Sequence, residues 1–233
     1  MRASISVIIP SLNEEQAIGG TIRNLEGSDI DELIVVDGGS SDRTAEIAEA
    51  LGAQVLHGPA NRGRQQNLGA QRAKGSVLLF LHADTVLSTG FADQVRTVLA
   101  KPGTSAGAFR FRLDAPGWKM RLVEKVVAMR CRAFGLPYGD QAIFMSRTAF
   151  DRAGQFAEIP VMEDFDLLRR LRRLGTISLA DGTATTSARR WHREGVWRVT
   201  LRHQICILGY YVGVPPHRLE LWRNSAPGTD LRA

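Results

Sequence analysis

The sequence is poor in cysteine. Among its 233 residues only Cys131 and Cys206 are cysteines, and neither belongs to a CxxC or Cys/His pattern. Two widely separated cysteines argue against a disulfide framework and against a structural zinc site. We expect both to be buried, unreactive thiols.

Long apolar stretches are also missing. The longest, from Ile205 to Val214, has ten residues and contains two glycines, whereas a membrane-spanning helix needs about 20 apolar residues. The opening segment, Met1–Ile9, is too short for the apolar region of a signal peptide and has no cleavage site. We therefore expect a cytoplasmic protein.

The charge balance is positive but not extreme. Thirty Lys and Arg residues face 24 Asp and Glu residues, which gives a net charge of +6, and hydrophobic residues make up 44% of the chain. This composition is that of an ordinary globular protein and excludes disorder, collagen-like repeats and coiled coil for most of the chain. The positive charge favours an anionic partner, such as nucleic acid, a membrane surface or a phosphorylated small molecule.

The first hundred residues alternate between short apolar runs and amphipathic segments. Near-continuous apolar strands separated by helices indicate an α/β fold with a mostly parallel, Rossmann-like sheet and helices on both faces. The predicted strands are Ile5–Ile9, Leu33–Val36, Gln54–Leu56 and Val77–Leu81, and the helices are Glu14–Glu26, Ser41–Leu51, Arg64–Lys74 and Phe91–Leu99.

The second half is less regular. It predicts strands at Ser105–Leu113 and Ala142–Met145 and helices at Trp118–Phe134, Asp164–Leu174 and Val196–Val212. We expect one α/β domain over residues 1–190, followed by a helical extension and a polar tail over residues 191–233.

Ligands of parallel sheets bind beyond the carboxyl ends of the strands. After the second strand, Asp37 either accepts hydrogen bonds from a base or ribose or forms a local turn. After the third, Asn61-Arg62-Gly63-Arg64 precedes a helix, so its backbone N–H groups and guanidinium groups suit a diphosphate, with a solvated basic loop as the alternative. These two patterns do not decide between their alternatives.

Carboxylates occur at three further places. Asp84, in His82-Ala83-Asp84, is a hard oxygen ligand that could share Mg²⁺ or Mn²⁺ with a diphosphate, or a simple helix or turn cap. Glu163-Asp164 begins a helix, where carboxylates cap, or where one of them acts as a general base. Asp140 and Gln141 offer hydrogen bonds to a sugar or acceptor, or form a plain turn.

Taken in order, these segments resemble glycosyltransferase family 2, the inverting group with the GT-A fold. The resemblance covers about residues 4–175 and rests on five motifs: Val7–Glu15 resembles V-I-P-x-x-N-E, Ile34–Thr44 resembles V-V-D-D-G-S-x-D-x-T, Asn61–Gly69 resembles N-x-G…N-x-G, His82-Ala83-Asp84 takes the D-x-D place, and Glu163-Asp164 takes the E-D place. The Asp-Gly-Gly-Ser, Arg-Gly-Arg, Leu-His-Ala-Asp, Tyr-Gly-Asp-Gln and Met-Glu-Asp-Phe-Asp segments resemble the radical-SAM/selenodomain-associated transferase 2 subgroup, which is also linked to arsenosugar biosynthesis.

The resemblance implies transfer of a sugar from a nucleoside-diphosphate donor to a hydroxyl acceptor, by the inverting and metal-assisted reaction typical of the family. The implied nucleotide and donor site comprises Pro10, Leu12, Asn13, Glu14, Asp37, Gly63, Arg64, His82, Ala83 and Asp84. Within it, Asp37 would bind the base, Arg64 would bind the diphosphate and Asp84 would hold a divalent cation, Mg²⁺ or Mn²⁺. Asp164, with Glu163 as the second candidate, would be the catalytic base, and Asp140 and Gln141 would lie near the acceptor or the donor sugar.

The sequence departs from the family pattern at two positions. Gly38 replaces the second acid of D-D-G-S, and His82 replaces the first acid of D-x-D. A polar contact to the nucleotide is therefore lost, and the metal preference could shift towards ions that accept imidazole. His192 is a candidate for a late metal ligand, with a plain surface histidine as the alternative.

Two other functions compete with glycosyl transfer. A nucleotidyltransferase would need a Gly-rich loop after the first strand, where this chain has Ser11-Leu12-Asn13-Glu14-Glu15. A non-enzymatic basic module would use a cationic cluster made of Arg110, Arg112, Lys119, Arg121, Lys125, Arg130 and Arg132. Since no nucleic-acid-binding motif is present, we expect no nucleic-acid partner.

The last predicted helix carries an apolar stripe of Leu201, Ile205, Leu208, Tyr211 and Val212. We expect this stripe to pack on the catalytic domain or on a second subunit, as in a homodimer. The alternative is peripheral contact with the inner face of the membrane, where the helix would meet a lipid-linked or amphiphilic acceptor.

Overall fold

A computed structural model describes residues 2–134, Pro137 and residues 139–224. Eight strands and ten helices alternate along this part of the chain, together with one 3₁₀ turn at Gly139–Gln141. In order they are β1 (Ile5–Ser11), α1 (Ile18–Leu25), β2 (Glu32–Asp37), α2 (Thr44–Ala50), β3 (Gln54–His57), α3 (Arg62–Arg72), β4 (Val77–Phe80), β5 (Thr85–Leu87), α4 (Phe91–Leu99), β6 (Thr104–Asp114), α5 (Trp118–Phe134), β7 (Phe144–Ser146), α6 (Arg147–Arg152), α7 (Glu163–Leu174), β8 (Thr176–Ser187), α8 (Arg189–Glu194), α9 (Val196–Tyr211) and α10 (Pro216–Asn224).

The first half of the sheet is parallel, as the sequence predicted. Its strands lie in the order β3-β2-β1-β4, and β1 pairs in parallel with both β2 and β4. The register places Ser11 opposite Asp37, so the last residues of β1 and β2 arrive together at one edge. Buried β-branched and leucine residues fill these strands because both faces of the sheet are covered.

The second half of the sheet is mixed. The order continues β7-β6-β8-β5, in which β7 is antiparallel to both β4 and β6, and β6 is parallel to β8. Two successive reversals give β6 and β8 the direction of β4, so the carboxyl end of β8 lies at the same edge as that of β4. Sequence patterns did not indicate β5, β8 or the helices α8 and α10, whereas Ser146, an N-cap candidate in the sequence, does cap α6.

Two apolar cores lie on opposite faces of the sheet. One contains Ile5, Ile9, Val35 and Leu79 with residues of α1 and α4, and the other contains Ile8, Val36 and Phe80 with residues of α3, α6 and α7. A smaller third cluster joins the end of β6 to α5, α8 and α9 through Phe111, Met120, Trp191 and Val199. The third cluster holds the C-terminal helices close to the end of the sheet.

The prediction that the α9 stripe packs on the catalytic domain is wrong. Leu201, Leu208 and Val212 are 61%, 65% and 73% exposed, and Ile205 and Tyr211 are also exposed. The residues that α9 buries are instead Val199, Cys206 and Gly209. The small residue Gly209 allows α10 to approach closely, since an added Cβ would lie 2.7 Å from Leu219.

The two cysteines are buried and free, which confirms the sequence prediction. Burial raises the pKa of both thiols. They therefore remain protonated and unreactive near neutral pH. The predicted boundary at residue 190 lies inside α8, and the division into two parts stays a prediction.

Candidate active site

The carboxyl ends of β1, β2, β4 and β8 form one edge of the sheet, and the first, second and fourth motifs follow β1, β2 and β4. Hydrogen bonds join the loops after β1 and β2. The Asn13 backbone N–H donates to Ser40 Oγ (2.9 Å), Asn13 Oδ1 accepts from the Ser41 N–H (2.9 Å), and the Glu14 N–H donates to Thr44 Oγ1 (2.8 Å). These bonds fix a rigid wall in which Pro10 is buried while Leu12 is 43% exposed.

The carboxylate of Asp37 stabilises its own turn. It accepts hydrogen bonds from the backbone N–H groups of Gly39 (3.0 Å) and Ser40 (2.9 Å) and from the Ser40 hydroxyl, and the residue is only 2% exposed. Gly39 adopts φ = 87°, a conformation that favours glycine. The structure therefore shows the local turn, which lies at the carboxyl edge of the sheet, and hydrogen bonding of Asp37 to a base or ribose stays a prediction.

The missing second acid at position 38 has a physical reason. A Cβ on Gly38 would lie 3.0 Å from Nε2 of Gln65 and 3.3 Å from the Ser11 carbonyl oxygen. The buried Gln65 amide donates from Nε2 to the carbonyl oxygens of Ser11 and Val36, at 2.8 Å each. Gln65 therefore fills the space and ties β1 to β2, a role that the sequence did not indicate.

Asp84 and Glu14 lie on either side of one cationic group. Nη2 of Arg189 donates to Glu14 Oε2 at 2.6 Å and lies 3.6 Å from Asp84 Oδ2. The other Asp84 oxygen accepts from Thr186 Oγ1 (3.3 Å), and the Asp84 carbonyl accepts from the Ser187 N–H (3.1 Å). The hydrogen bond to Glu14, with the charges of Glu14 and Asp84, raises the pKa of Arg189. This group of carboxylates therefore already accommodates a cation.

The structure separates the two arginines of the Arg-Gly-Arg segment. Nη1 of Arg62 lies 3.1 Å from Oε1 of Glu163, a carboxylate that is almost fully buried. Arg64 instead pairs with Glu158 at 2.7 Å, and both side chains are 53% exposed. Because Asp164 and Asp84 also contribute to raising the pKa of Arg62, this guanidinium is the one that faces the acidic residues.

Gly63 allows the loop before α7 to approach α3. A Cβ at this position would lie only 2.5 Å from the Ala157 carbonyl oxygen. Asn61 caps α3 by accepting from the Arg64 N–H at 2.9 Å. Together these contacts bring the start of α3, which carries Arg62, next to the start of α7.

Asp164 is held by the backbone of a distant turn. Its Oδ2 accepts from the Gly139 N–H at 2.5 Å, and its Oδ1 accepts from the Phe165 N–H at 2.7 Å. A Cβ on Gly139 would lie 2.6 Å from Asp164 Oδ2 and 3.2 Å from His82 Nε2, so the three residues converge. The positive end of the α7 dipole stabilises the carboxylate.

The imidazole of His82 is neutral. Burial and the nearby Arg62 guanidinium lower the pKa of His82 to about 3. Its Nε2 atom is buried and, among the described residues, has no hydrogen-bond partner. The adjacent Ala83 is buried and its carbonyl accepts from Thr21 Oγ1 at 2.8 Å, which anchors the loop to α1.

The two residues of the 3₁₀ turn behave differently. Gln141 is only 1% exposed, with Nε2 donating to the Phe109 carbonyl (2.8 Å) and Oε1 accepting from the Cys131 thiol (3.3 Å). It therefore secures the turn against β6 and α5. Burial raises the pKa of Asp140 to about 7. The negative charges of Asp164 and Asp84 also raise this pKa, whereas the positive charge of Arg130 lowers it.

The late histidine does not join the carboxylates. His192 is exposed on α8, and no three His, Cys, Asp or Glu side chains among the described residues could hold a metal ion together. Sequence reasoning did not identify Arg189 as a neighbour of Asp84 and Glu14. Its position would have indicated this, because Arg189 lies two residues after a strand that ends at the same edge of the sheet. That strand, β8, was itself not indicated by the pattern.

Comparison with known proteins agrees with this geometry. The sequence profile of glycosyl transferase family 2 matches residues 6–155. Glucosyl-3-phosphoglycerate synthase of Mycolicibacterium smegmatis is 41% identical over 78 residues, which are 32% of this chain and 25% of the relative. The chain thus spans about a quarter to a third of the length of the curated relatives that it matches.

Solved structures show the same fold. One is glucosyl-3-phosphoglycerate synthase from Mycobacterium tuberculosis, in complex with Mn²⁺, UDP and phosphoglyceric acid. It matches with a TM-score of 0.63 at 23% identity, and the match covers 91% of this chain and 80% of the synthase chain. The mannosyltransferase PcManGT from Pyrobaculum calidifontis, in complex with GDP-Man and Mn²⁺, has a TM-score of 0.67 at 18% identity and covers 97% and 66%. The fold is that of the GT-A glycosyltransferases, and the chain belongs to glycosyl transferase family 2.

Proposed function

We propose that the protein transfers a sugar from a nucleoside-diphosphate donor to a hydroxyl acceptor, with inversion at the anomeric carbon. The observation that carries this proposal is the position of Arg62, whose pKa is raised by Glu163 and also by Asp164 and Asp84, so that Asp164 and Asp84 lie near one guanidinium. Asp84 serves the leaving group and Asp164 serves the acceptor. The GT-A relatives that bind UDP or GDP-Man support the donor class.

The nucleoside lies against the wall formed by the loops after β1 and β2. Pro10 and Leu12 supply apolar surface, and Asn13 and Glu14 fix the wall through their backbone bonds. Asp37 lies at the end of this wall, where it meets the base if the Ser40 hydroxyl turns away. We assign the diphosphate to Arg189 and Arg62, whereas Arg64 would have to leave Glu158 to reach it.

A divalent cation, Mg²⁺ or Mn²⁺, fits the residues present. Asp84 offers hard oxygen ligands, and the guanidinium of Arg189 already lies between Asp84 and Glu14, so the local field favours positive charge. Asp84 would hold the ion together with the donor diphosphate. When bound, the ion stabilises the negative charge that develops on the leaving diphosphate.

Asp164 accepts the proton of the acceptor hydroxyl. As that oxygen attacks the anomeric carbon, the bond to the diphosphate oxygen breaks on the opposite face and the diphosphate leaves with the bonding electron pair. The Gly139 N–H orients the Asp164 carboxylate. Glu163 is the weaker candidate for the base because Arg62 occupies one of its oxygens.

The experiment that tests the proposal combines binding with turnover. We expect UDP or GDP to raise the melting temperature of the wild-type protein, and more strongly with Mn²⁺. Asp84→Ala should lose the Mn²⁺-dependent part, whereas Asp164→Asn should keep nucleotide binding but lose donor hydrolysis and transfer. Asp181→Asn, whose side chain is 95% exposed, is the matched control. Wild-type turnover in both site variants would overturn the assignment.

Finer assignments follow from the motifs and the helices. Within the family we propose the radical-SAM/selenodomain-associated subgroup because the variant motifs match it. We also propose a catalytic domain over residues 1–190 and a cytoplasmic location at the inner face of the membrane. The exposed face of α9 has two candidate partners, a membrane and a second copy of the chain.

A further inference from the structure

Large exposed apolar side chains are concentrated on α5 and on the two C-terminal helices, α9 and α10. Among the described residues, 15 large hydrophobic side chains are exposed, and only Leu12, Val86 and Leu174 lie elsewhere. The other 12 lie on α5, on α10, or on α9 and the residue that ends it. They are Trp118, Leu122, Val126, Met129, Trp197, Leu201, Ile205, Leu208, Tyr211, Val212, Leu221 and Trp222, which together we call the apolar surface.

This distribution reverses the usual amphipathic pattern. In α9 the apolar residues at positions 197, 201, 205, 208 and 212 follow a spacing of three or four, which places them on one side of the helix. That side is exposed, and the opposite side with Val199 and Cys206 is buried. A helix that is already packed on its own domain needs no second apolar side, so a partner outside the described chain accounts for it.

The same arrangement holds for α5, which lies beside α9. Trp118, Leu122, Val126 and Met129 repeat at helical spacing and are exposed, while Met120 and Val123 are buried. Val126 of α5 and Gln204 of α9 line a common cavity of about 20 Å³. The two exposed sides thus adjoin along the junction between the helices.

The exposed charged side chains described on α5 and α9 are all positive: Lys119 and Lys125 on α5, and Arg198 on α9. α10 adds the exposed Arg218 and the half-buried Glu220. α9 contains no acidic residue, and the single acid of α5, Glu124, accepts hydrogen bonds from Arg121 and the Leu113 N–H. A cationic, tryptophan-containing apolar surface matches an anionic lipid bilayer more closely than a copy of itself, since two cationic faces repel.

We propose that the apolar surface docks the protein on an anionic bilayer, with α5 and α9 lying in the interface. No helix among the described residues is long and apolar enough to cross a bilayer, so the helices would lie along its surface. Tryptophans at positions 118 and 197 supply rings suited to the headgroup region. Each cation near an anionic surface strengthens binding by roughly fivefold.

The proposal rests on the proposed function and defines the class of acceptor. The cavity between α5 and α9 is also lined by Arg130 and Asp140, and Asp140 adjoins Gly139, which bonds to the catalytic Asp164. The junction between the helices is therefore adjacent to the turn that orients the proposed base. The acceptor on this proposal is an amphiphile held in the bilayer, with its hydroxyl in an anionic headgroup.

The test is co-sedimentation with vesicles. Wild-type protein should bind vesicles of mixed phosphatidylcholine and phosphatidylglycerol, release with salt, and bind pure phosphatidylcholine weakly. Leu201→Glu with Leu208→Glu should abolish binding, and Lys125→Ala should weaken it roughly fivefold. Leu174→Glu, an exposed leucine on α7, is the control that should bind as wild type.

Nucleotide thermal shift separates this proposal from the glycosyltransferase assignment. All the variants tested for vesicle binding should show the wild-type increase in melting temperature with UDP or GDP. That increase would show that they are folded and retain the proposed donor site. Failure of the wild type to bind either vesicle overturns the membrane proposal alone. A wild-type dimer in sedimentation analysis that dissociates in the Leu201→Glu/Leu208→Glu variant, without vesicle binding, would assign the surface to a second copy.

Discussion

Arg189 donates a hydrogen bond to Glu14 across 175 positions of sequence, with 2.6 Å between Nη2 and Oε2. The contact joins the loop after the first strand to the residue that follows the last strand. The same nitrogen lies 3.6 Å from Asp84, so one guanidinium balances two carboxylates of the proposed donor site. In the proposed reaction this guanidinium competes with a divalent cation for Asp84 and then meets the diphosphate.

Replacing Arg189 by Ala should therefore change two affinities in opposite directions. The affinity for Mn²⁺ alone should increase by about fivefold or less, since an exposed ion pair contributes about 0–1 kcal/mol. The affinity for UDP or GDP in the presence of Mn²⁺ should fall about tenfold to a hundredfold, through loss of a charge-assisted hydrogen bond. Titration calorimetry measures both. Arg193→Ala on the same helix, where the side chain is 78% exposed, is the control, and equal decreases in both affinities would contradict the prediction.

Gly139→Ala should disable the base without unfolding the protein. The new Cβ would lie 2.6 Å from Asp164 Oδ2, so the carboxylate must move away from the position that the Gly139 N–H now fixes. A displacement of about 1 Å is enough to reduce turnover about a hundredfold. We expect kcat to fall by that order while UDP or GDP binding persists. Gly20→Ala, which meets no atom within 4 Å, should leave kcat unchanged, and unchanged kcat in Gly139→Ala as well would refute this role.

The buried carboxyl of Asp140 should make stability depend on pH. Burial raises the pKa of Asp140 to about 7, above its value of about 4 in an unfolded chain. Between these two pH values the folded state keeps a proton that the unfolded state loses, so this carboxyl lowers the free energy of unfolding as the pH rises from about 4 to about 7. Asp140→Asn has no carboxyl to titrate at this position. Its melting temperature, relative to that of the wild type, should therefore increase as the pH rises over that range.

The melting temperatures should be measured in chelator from pH 5 to pH 8. Each kcal/mol recovered by Asp140→Asn should appear as a relative increase of roughly 2–4 °C in melting temperature. The exposed Asp114→Asn variant on β6 should follow the wild type at every pH. Parallel curves for wild type and Asp140→Asn would show that Asp140 is ionised in the folded protein.

Restoring the acid of the family motif should destabilise this chain. Gly38→Asp would place a Cβ 3.0 Å from Gln65 Nε2, and overpacking of this kind costs about 1–3 kcal/mol. Adding Gln65→Ala removes the obstacle, although it also removes two hydrogen bonds to the strands. Urea denaturation of the two single variants and the double variant should give an interaction free energy of about 0.5–3 kcal/mol in favour of the pair. Additive costs would mean that Gln65 does not occupy the position of the acid.

The parallel half of the fold could be predicted because its strands are short, apolar and bounded by turn residues. β8 could not, since Thr176–Ser187 is rich in threonine, and most of its residues are only half-buried between β6 and the edge strand β5. Motif order located Asp84 and Asp164, but spacing alone could not decide which arginine faces the cleft. Arg62 and Arg64 are two positions apart at the start of a helix, and packing against α7 selects Arg62.

Helical periodicity identified the α9 stripe but not the side on which it would pack. The sequence shows which residues share a face, whereas the structure shows that α9 buries the opposite face, where Cys206 and Gly209 meet α10. Close approach by α10 at Gly209 leaves the bulky residues outside.

The position of β8 in the sheet also governs when the proposed cation site can form during synthesis. β5 pairs with β8 among the described strands, and both Asp84 contacts from Thr186 and Ser187 come from the end of β8. Thr186 and Ser187 are synthesised about a hundred residues after Asp84, so its loop can form these contacts only after that part of the chain has been translated. Pairing between such distant segments is slow. If the proposed site binds Mn²⁺, that binding would show that the chain has completed its sheet, so metal affinity would measure folding as well as catalysis.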